Sequence, residues 1–233
     1  MMIGEKVEDI NIRMPEDAHD VTSHVPTFNA YLIAIVRDSN GNIIRVHRQR
    51  SHSPTANFIG LLLPMLYFSN NNVSFTITNS TGGTCSYNSG IGNSYQDISY
   101  PNSGQNYNTY IVTIQVGSGQ QSNPYNATAL AAPIANGSGA GQLVYQSVTP
   151  PSTVTLNGNT AYFNIIQTYN NLSGSTITIT EVGIILSLQL TNIDHSKTTS
   201  CGNILVWYDV LSSSISVPNG GSVTIYYTFT VNP

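Results

Sequence analysis

The run Val223-Thr224-Ile225-Tyr226-Tyr227-Thr228-Phe229-Thr230-Val231 decides the fold class. Successive side chains of a strand point to opposite faces. One face therefore carries Val223, Ile225, Tyr227, Phe229 and Val231, and the other carries Thr224, Tyr226, Thr228 and Thr230. These are residue types that fit a pleated surface, and none of them is charged. An uncharged, strongly β-favouring strand aggregates unless neighbours cover or pair it. Its presence is expected in a protein that lives in an assembly.

The same texture extends backwards from this run. Residues 73–78, 110–116, 143–148, 154–156, 161–168, 175–190, 204–210 and 215–217 read as short strands between Asn/Gly/Ser clusters, the pattern of a sandwich or barrel. Residues 79–108 form a long Asn/Ser/Gly/Tyr stretch, which is either a functional excursion or contains strands that periodicity does not reveal. Near the start, residues 30–36 read as a strand, and Asp38-Ser39-Asn40-Gly41 as a hairpin turn, because Asn-Gly tolerates positive φ at both central positions. Residues 42–50 are the partner strand. Ser53-Pro54 then predicts a helix N-cap with Pro at the first helical position, and Pro64 predicts its end or a kink after about Leu63. Residues 1–28 read as an extended arm or loop. The expected fold is all-β, an antiparallel, jelly-roll-like β-sandwich with a short helix after an N-terminal hairpin.

Charge is scarce and unevenly placed. Only 8% of the 233 residues are charged, against roughly a quarter in an average domain. Asn, Ser and Thr together supply 77 residues. Thirteen of the 18 charges fall within residues 1–50, and the remaining 183 residues carry five: Asp97, Glu181, Asp194, Lys197 and Asp209. The shift predicts a docking part over 1–68 and a sandwich body over 69–233. With a net charge of -4 there is no basic excess, so nucleic acid is not expected as the main partner. The apolar stretch 58–68 is too short to span a bilayer. The start, Met1-Met2-Ile3-Gly4-Glu5-Lys6, leads into mixed charge and not into an apolar leader, so entry to the secretory route by a standard signal is not expected.

Few residues carry a chemical signal. In Ser51-His52-Ser53, adjacent strand residues face opposite ways, so nucleophile and base do not meet. His47 and His52 are odd-spaced and make a weak metal pair. Asp38-Ser39-Asn40-Gly41-Asn42 begins like a calcium loop, but its Gly is misplaced and no Glu closes it. Val116-Gly117-Ser118-Gly119 lacks the third Gly and the following helix of a phosphate loop. Glu181 stands alone in an uncharged run, and an unpaired buried carboxylate is costly. It is either an acid in a pocket, with Asp209 as the second carboxylate of a carbohydrate-active enzyme, or a structural carboxylate bonded to backbone or paired with an Arg. The structural reading is the expected one, and neither an enzyme nor a cofactor is expected.

Arg37, Arg45, His47, Arg48 and Arg50, with Phe58 and Leu62, are the expected assembly interface. Cys85 and Cys201 are a candidate disulfide. Asn72, Asn79, Asn126, Asn136 and Asn171 begin Asn-X-Ser/Thr sequons and are candidate glycosylation sites. Tyr87, Tyr95, Tyr100, Tyr107 and Tyr110 suit either sugar stacking or an interface.

Three segments resemble virion structural proteins. One runs from Val36-Arg37-Asp38-Ser39-Asn40-Gly41-Asn42 through Arg50-Ser51-His52-Ser53 to Asn57-Phe58-Ile59-Gly60-Leu61-Leu62. A second joins Ile114-Gln115-Val116-Gly117-Ser118-Gly119 to Ala131-Ala132-Pro133-Ile134. The third is TITITEVG at 176–183 with Trp207-Tyr208-Asp209-Val210-Leu211 and the run to Val231. In texture and short patterns, over about half the chain, these are similar to accessory capsid, turret or tail proteins of tailed phages and of viruses of hyperthermophilic archaea. The resemblance implies a structural role, symmetric assembly with copies of itself and other virion proteins, and a place in the virion after assembly in the host cytoplasm. A host-surface glycan is a further candidate partner. The alternative is an extracellular adhesin or filament subunit with a glycan-binding β-sandwich.

Overall fold

The structure is a computed structural model, and it describes residues 27–51, 53–66, 73–89, 96–99, 112–149, 153–192 and 198–232. The strands are β1 (Thr27–Arg37), β2 (Ile43–Ser51), β3 (Val73–Thr78), β4 (Thr84–Ser89), β5 (Gln96–Ser99), β6 (Val112–Gly117), β7 (Val144–Tyr145), β8 (Thr155–Asn157), β9 (Thr160–Asn170), β10 (Ile177–Asn192), β11 (Thr198–Val217) and β12 (Ser222–Asn232). One helix, α1 (Ala56–Leu66), follows the first hairpin. Among the described residues no helix is long and apolar enough to cross a membrane.

Two antiparallel sheets pack into an all-β sandwich. The first has the order β2-β1-β12-β9-β7, with β8 also on β9. The second has β11-β10-β5, with β6 also on β10. β3 and β4 form a separate hairpin. The core between the sheets draws Leu32, Ala34 and Val36 from β1, Val223, Ile225 and Tyr227 from β12, Ile114 and Val116 from β6, Ile179, Val182 and Ile184 from β10, and Ile204 and Ile215 from β11.

The alternation read in 223–231 places Val223, Ile225, Tyr227 and Phe229 in this core, while Val231 stays 41% exposed at the end of the strand. β12 lies between β1 and β9, so both its edges are paired within its own sheet. Its threonine face is also covered, with Thr224, Thr228 and Thr230 buried. The need for neighbours inferred from this strand is thus met inside the chain and does not itself call for a second subunit.

The turn at 38–42 forms as its sequence predicts. Gly41 adopts φ 84°, and Asp38 Oδ1 accepts from the Asn40 and Asn42 amides at 2.9 Å each. These bonds, with the Asn42 side-chain amide donating to Oδ2, stabilise the carboxylate and hold its pKa below the ordinary value.

The helix departs from expectation at both ends. Pro54 forms a β-bridge with Trp207 instead of opening the helix. Thr55 precedes the first turn, its carbonyl accepting from Phe58 at 3.0 Å while its hydroxyl donates to the Leu205 carbonyl at 2.8 Å. The helix then continues through Pro64 to Leu66. Backbone pairing with β11 sets where this helix begins. The 79–108 stretch contains β4 and β5, whose Thr-Cys-Ser-Tyr-Asn-Ser and Gln-Asp-Ile-Ser sequences lack an apolar alternation.

The expected boundary near residue 68 does not separate an arm from a body. β1 pairs with β12 over its full length from Thr27 to Arg37, so the hairpin belongs to the first sheet. Charge composition marked the hairpin as different because its outer strand meets solvent.

Candidate functional site

The basic strand β2 lies at the end of the first sheet and, among the described residues, pairs only with β1. Its two faces differ. Arg45, His47, Gln49 and Ser51 point towards β11. Arg45 donates to Ser213 Oγ at 2.9 Å, and Gln49 donates to the Val210 carbonyl at 3.1 Å and accepts from the Ser212 amide at 2.9 Å. His47 is buried, with Nε2 2.9 Å from Gln49 Oε1 and Nδ1 3.3 Å from Ser213 Oγ. These side chains lace the two sheets together. The other face shows solvent Ile44, Val46, Arg48 and Arg50, and Arg50 donates to Asn29 Oδ1 at 2.6 Å. Arg37 is half-buried at the end of β1.

Of the expected interface residues, Arg48 and Arg50 are thus the exposed cations. His47 and Arg45 hold the sandwich edge closed. Phe58 is turned inward, its ring 5.5 Å from that of Trp207 in an edge-on contact. Leu62 is half-buried on α1. Ile43 and Ile44, 47% and 53% accessible, join the exposed cations although they are not among the expected interface residues; an Ile-Ile pair beside an Asn-Gly turn is the signal that points to them.

Behind this edge lies a buried polar chain. Trp207 Nε1 donates to Ser51 Oγ, which donates to Asp209 Oδ2. Tyr227 donates to the same carboxylate oxygen at 2.8 Å. Burial, with the Asp209 charge adding to it, raises the Tyr227 pKa well above its ordinary value. Ser51 is therefore committed to a structural network and is buried. His52 lies outside the described residues.

Glu181 is fully buried and accepts four hydrogen bonds. The donors are Gly119 N at 3.2 Å and Ala132 N at 2.7 Å to Oε1, and Ala131 N at 3.0 Å and Tyr208 OH at 2.7 Å to Oε2. Tyr208 OH in turn accepts from Gln121 N at 2.7 Å. Burial is the main reason why the Tyr208 pKa is pushed up. The carboxylate clasps the segment 118–132 onto the outer face of β10 and β11, where Leu130 and Ala127 cover Ile185, Leu205 and Tyr208. Gly117 makes room for it, since a Cβ there would collide with the carboxylate and lie 2.7 Å from the Ala132 carbonyl oxygen.

Glu181 reaches that face through a break in alternation. Ile177 and Ile179 face the core, and strict alternation would send Glu181 with them. The register shifts between Ile179 and Glu181, where Thr180 alone stands opposite residues 211–214 of β11. Thereafter Val182 and Ile184 face the core. Asp209 pairs with Val182 and Glu181 with Val210. Directly opposed residues share a face, so Glu181 and Asp209 lie on opposite faces of the sheet. They do not form the carboxylate pair that a glycosidase requires.

Cys85 of β4 and Cys201 of β11 are joined in a disulfide, with Cα atoms 5.5 Å apart. Three sequon side chains take part in hydrogen bonds of the fold, Asn136 through its Oδ1, which accepts from Tyr145 N at 3.0 Å. Asn171 is fully buried and donates to the Ser175 and Val217 carbonyls at 2.8 Å each. A glycan there is incompatible with this position. Asn79 organises the β3–β4 turn, accepting from Thr81 N and Gly83 N and donating to the Cys201 carbonyl. Asn126 and Asn136 are exposed, and Asn72 lies outside the described residues, as do Tyr95, Tyr100, Tyr107 and Tyr110. Among the described residues no cluster of His, Cys, Asp or Glu has the arrangement of a metal site.

Comparison with known proteins finds no matching family model, no matching curated protein and no matching solved structure.

Proposed function

We propose that this chain is a structural subunit of a virus particle, of the capsid-associated, turret or decoration kind, that acts by symmetric assembly through the β2 edge of its sandwich. The observation that carries the assembly reading is that one strand at the end of the first sheet exposes apolar and cationic side chains together. Exposed Ile43, Ile44 and Val46 sit beside Arg48 and Arg50 on one strand, whereas the carboxylates of Glu181 and Asp209 are buried and bonded within the sandwich.

The viral part of the reading is supported by the resemblance of three segments to virion proteins and by the uncharged Asn/Ser/Thr-rich composition. A surface with few carboxylates changes its charge little in acid. The disulfide suits a protein exposed to an oxidising exterior or drawn from a hyperthermophile.

Sedimentation analysis and electron microscopy of the purified full chain test this function. Discrete symmetric oligomers are expected. A chain that remains strictly monomeric at high concentration overturns the assembly reading.

A further inference from the structure

We propose that the exposed face of β2 is the docking surface for the acidic N-terminal segment of a second copy of this chain. This deepens the assembly reading above and rests on it.

The occupant follows from charge complementarity. From residue 27 onward the chain holds Arg37, Arg45, Arg48, Arg50 and Lys197 against Asp38, Asp97, Glu181, Asp194 and Asp209, five of each sign. The four arginines all lie on the β1–β2 hairpin, and none of them has a carboxylate partner among the described residues. Arg45 and Arg50 bond neutral side chains, Ser213 and Asn29. Glu181 and Asp209 are buried and satisfied away from this face, and Asp38 is engaged by its own turn. The hairpin is therefore locally cationic with little compensation nearby.

The missing counter-charge lies in the sequence before β1. Residues 1–26 contain Glu5, Glu8, Asp9, Glu16, Asp17 and Asp20 against Lys6 and Arg13, a net of -4 that equals the net charge of the whole chain. Twenty-six residues span at most roughly 90 Å when extended, several times the length of β2 (~30 Å for its nine residues). The segment is thus long enough to run the whole length of a β2 strand. Cations alone on an edge strand serve to keep edges apart. Here they alternate with nothing of that kind: Ile44 and Val46 continue the same face and are exposed, so the surface offers an apolar half and a cationic half. That combination suits a partner segment that mixes acids with apolar residues, as Ile3, Val7, Ile10 and Ile12 do among the acids of this one.

A charge-swap experiment on the full chain tests the proposal. One variant carries Arg48→Glu and Arg50→Glu. The other carries Glu16→Lys, Asp17→Lys and Asp20→Lys. Each alone places like charges at both contacts, and each is expected to weaken self-association about tenfold or more. An equimolar mixture restores opposite charges at every contact between unlike copies, and is expected to recover wild-type association. High salt is expected to weaken the wild-type oligomer in the same direction.

If the wild-type chain oligomerises but neither variant is affected, the docking is wrong and the assembly reading stands. If both variants fold and dissociate but their mixture does not recover, the contact is not between copies and the proposal falls. If the reversed strand does not fold, a synthetic peptide of residues 1–20 decides on the wild-type protein. Dissociation of the oligomer by the peptide supports the proposal, and an inert peptide overturns it. A wild-type chain that never oligomerises defeats the assembly reading itself.

Discussion

Replacing Glu181 by Gln keeps its size and shape but changes what one terminal atom does. Both carboxylate oxygens accept: Oε1 from Gly119 N and Ala132 N, Oε2 from Ala131 N and Tyr208 OH. In Glu181→Gln the amide oxygen can keep the first pair, but the amide nitrogen then faces two donors. The Tyr208 hydroxyl can turn, while the Ala131 amide is fixed by the backbone and loses its acceptor. An unsatisfied buried donor costs about 1–3 kcal/mol, and hydrogen bonds to a charged group are worth about 1.5–3 kcal/mol each. The expected destabilisation is therefore about 3 kcal/mol.

For a chain of this size each kcal/mol lowers Tm by roughly 2–4 °C, so a fall of roughly 6–12 °C is expected in thermal unfolding followed by circular dichroism. Hydrogen exchange locates the effect, with the Gly119, Ala131 and Ala132 amides losing protection while the β1–β12 amides keep theirs. Gly117→Ala is expected to produce the same local signature, because its Cβ occupies the space of the carboxylate. A Glu181→Gln protein that unfolds within about 1 kcal/mol of wild type, with unchanged exchange in 118–132, would refute the clasp.

Two further outcomes follow from the interior. The Cys85–Cys201 disulfide closes a sequence separation of 116 residues, and its removal by Cys85→Ser is expected to cost about 2–5 kcal/mol. Unfolding midpoints with and without reductant measure the same quantity in the wild-type chain. Burial holds Tyr145, Tyr169, Tyr208 and Tyr227 in the neutral form, with the Tyr145 pKa pushed up to about 12. A phenol whose folded pKa is raised binds its proton more tightly in the native state. Its contribution is complete below the unfolded pKa of about 10 and is lost as pH rises through the folded value. Stability is therefore expected to fall between pH 10 and about 12, with the phenolate absorbance of these side chains appearing only as the chain unfolds. Ordinary titration of all four near pH 10 in the folded protein would contradict their burial.

The legibility of this protein in its sequence varies element by element. The β12 alternation, the Asn40-Gly41 turn and the hairpin that it joins were readable because each depends on local rules, side-chain period and positive φ. β4 and β5 were not readable, since strands built from Thr, Cys, Ser, Tyr and Asn carry no apolar period. The helix start is not legible locally, because Pro54 pairs with Trp207, a partner distant in sequence. At the candidate interface the cations of β2 were legible as a cluster, but which of them reach solvent was not. Arg45 and His47 turn inward because Ser213 awaits them on β11, and Phe58 turns inward to Trp207.

Fold class, the uncharged character of the body and the concentration of charge towards the N-terminus follow from residue order and composition alone. These are sums and periods, and they need no knowledge of neighbours. The fate of the individual acids depends on contacts between strands and loops far apart in the chain. Glu181 lies in a run whose alternation points it into the core, yet the residues 211–214 of β11 shift the register and deliver it to the opposite face. There the backbone amides of a loop 49 to 62 residues earlier in the chain meet it. A bulge is a property of two strands together, so the direction of a side chain beyond it is written in neither strand alone.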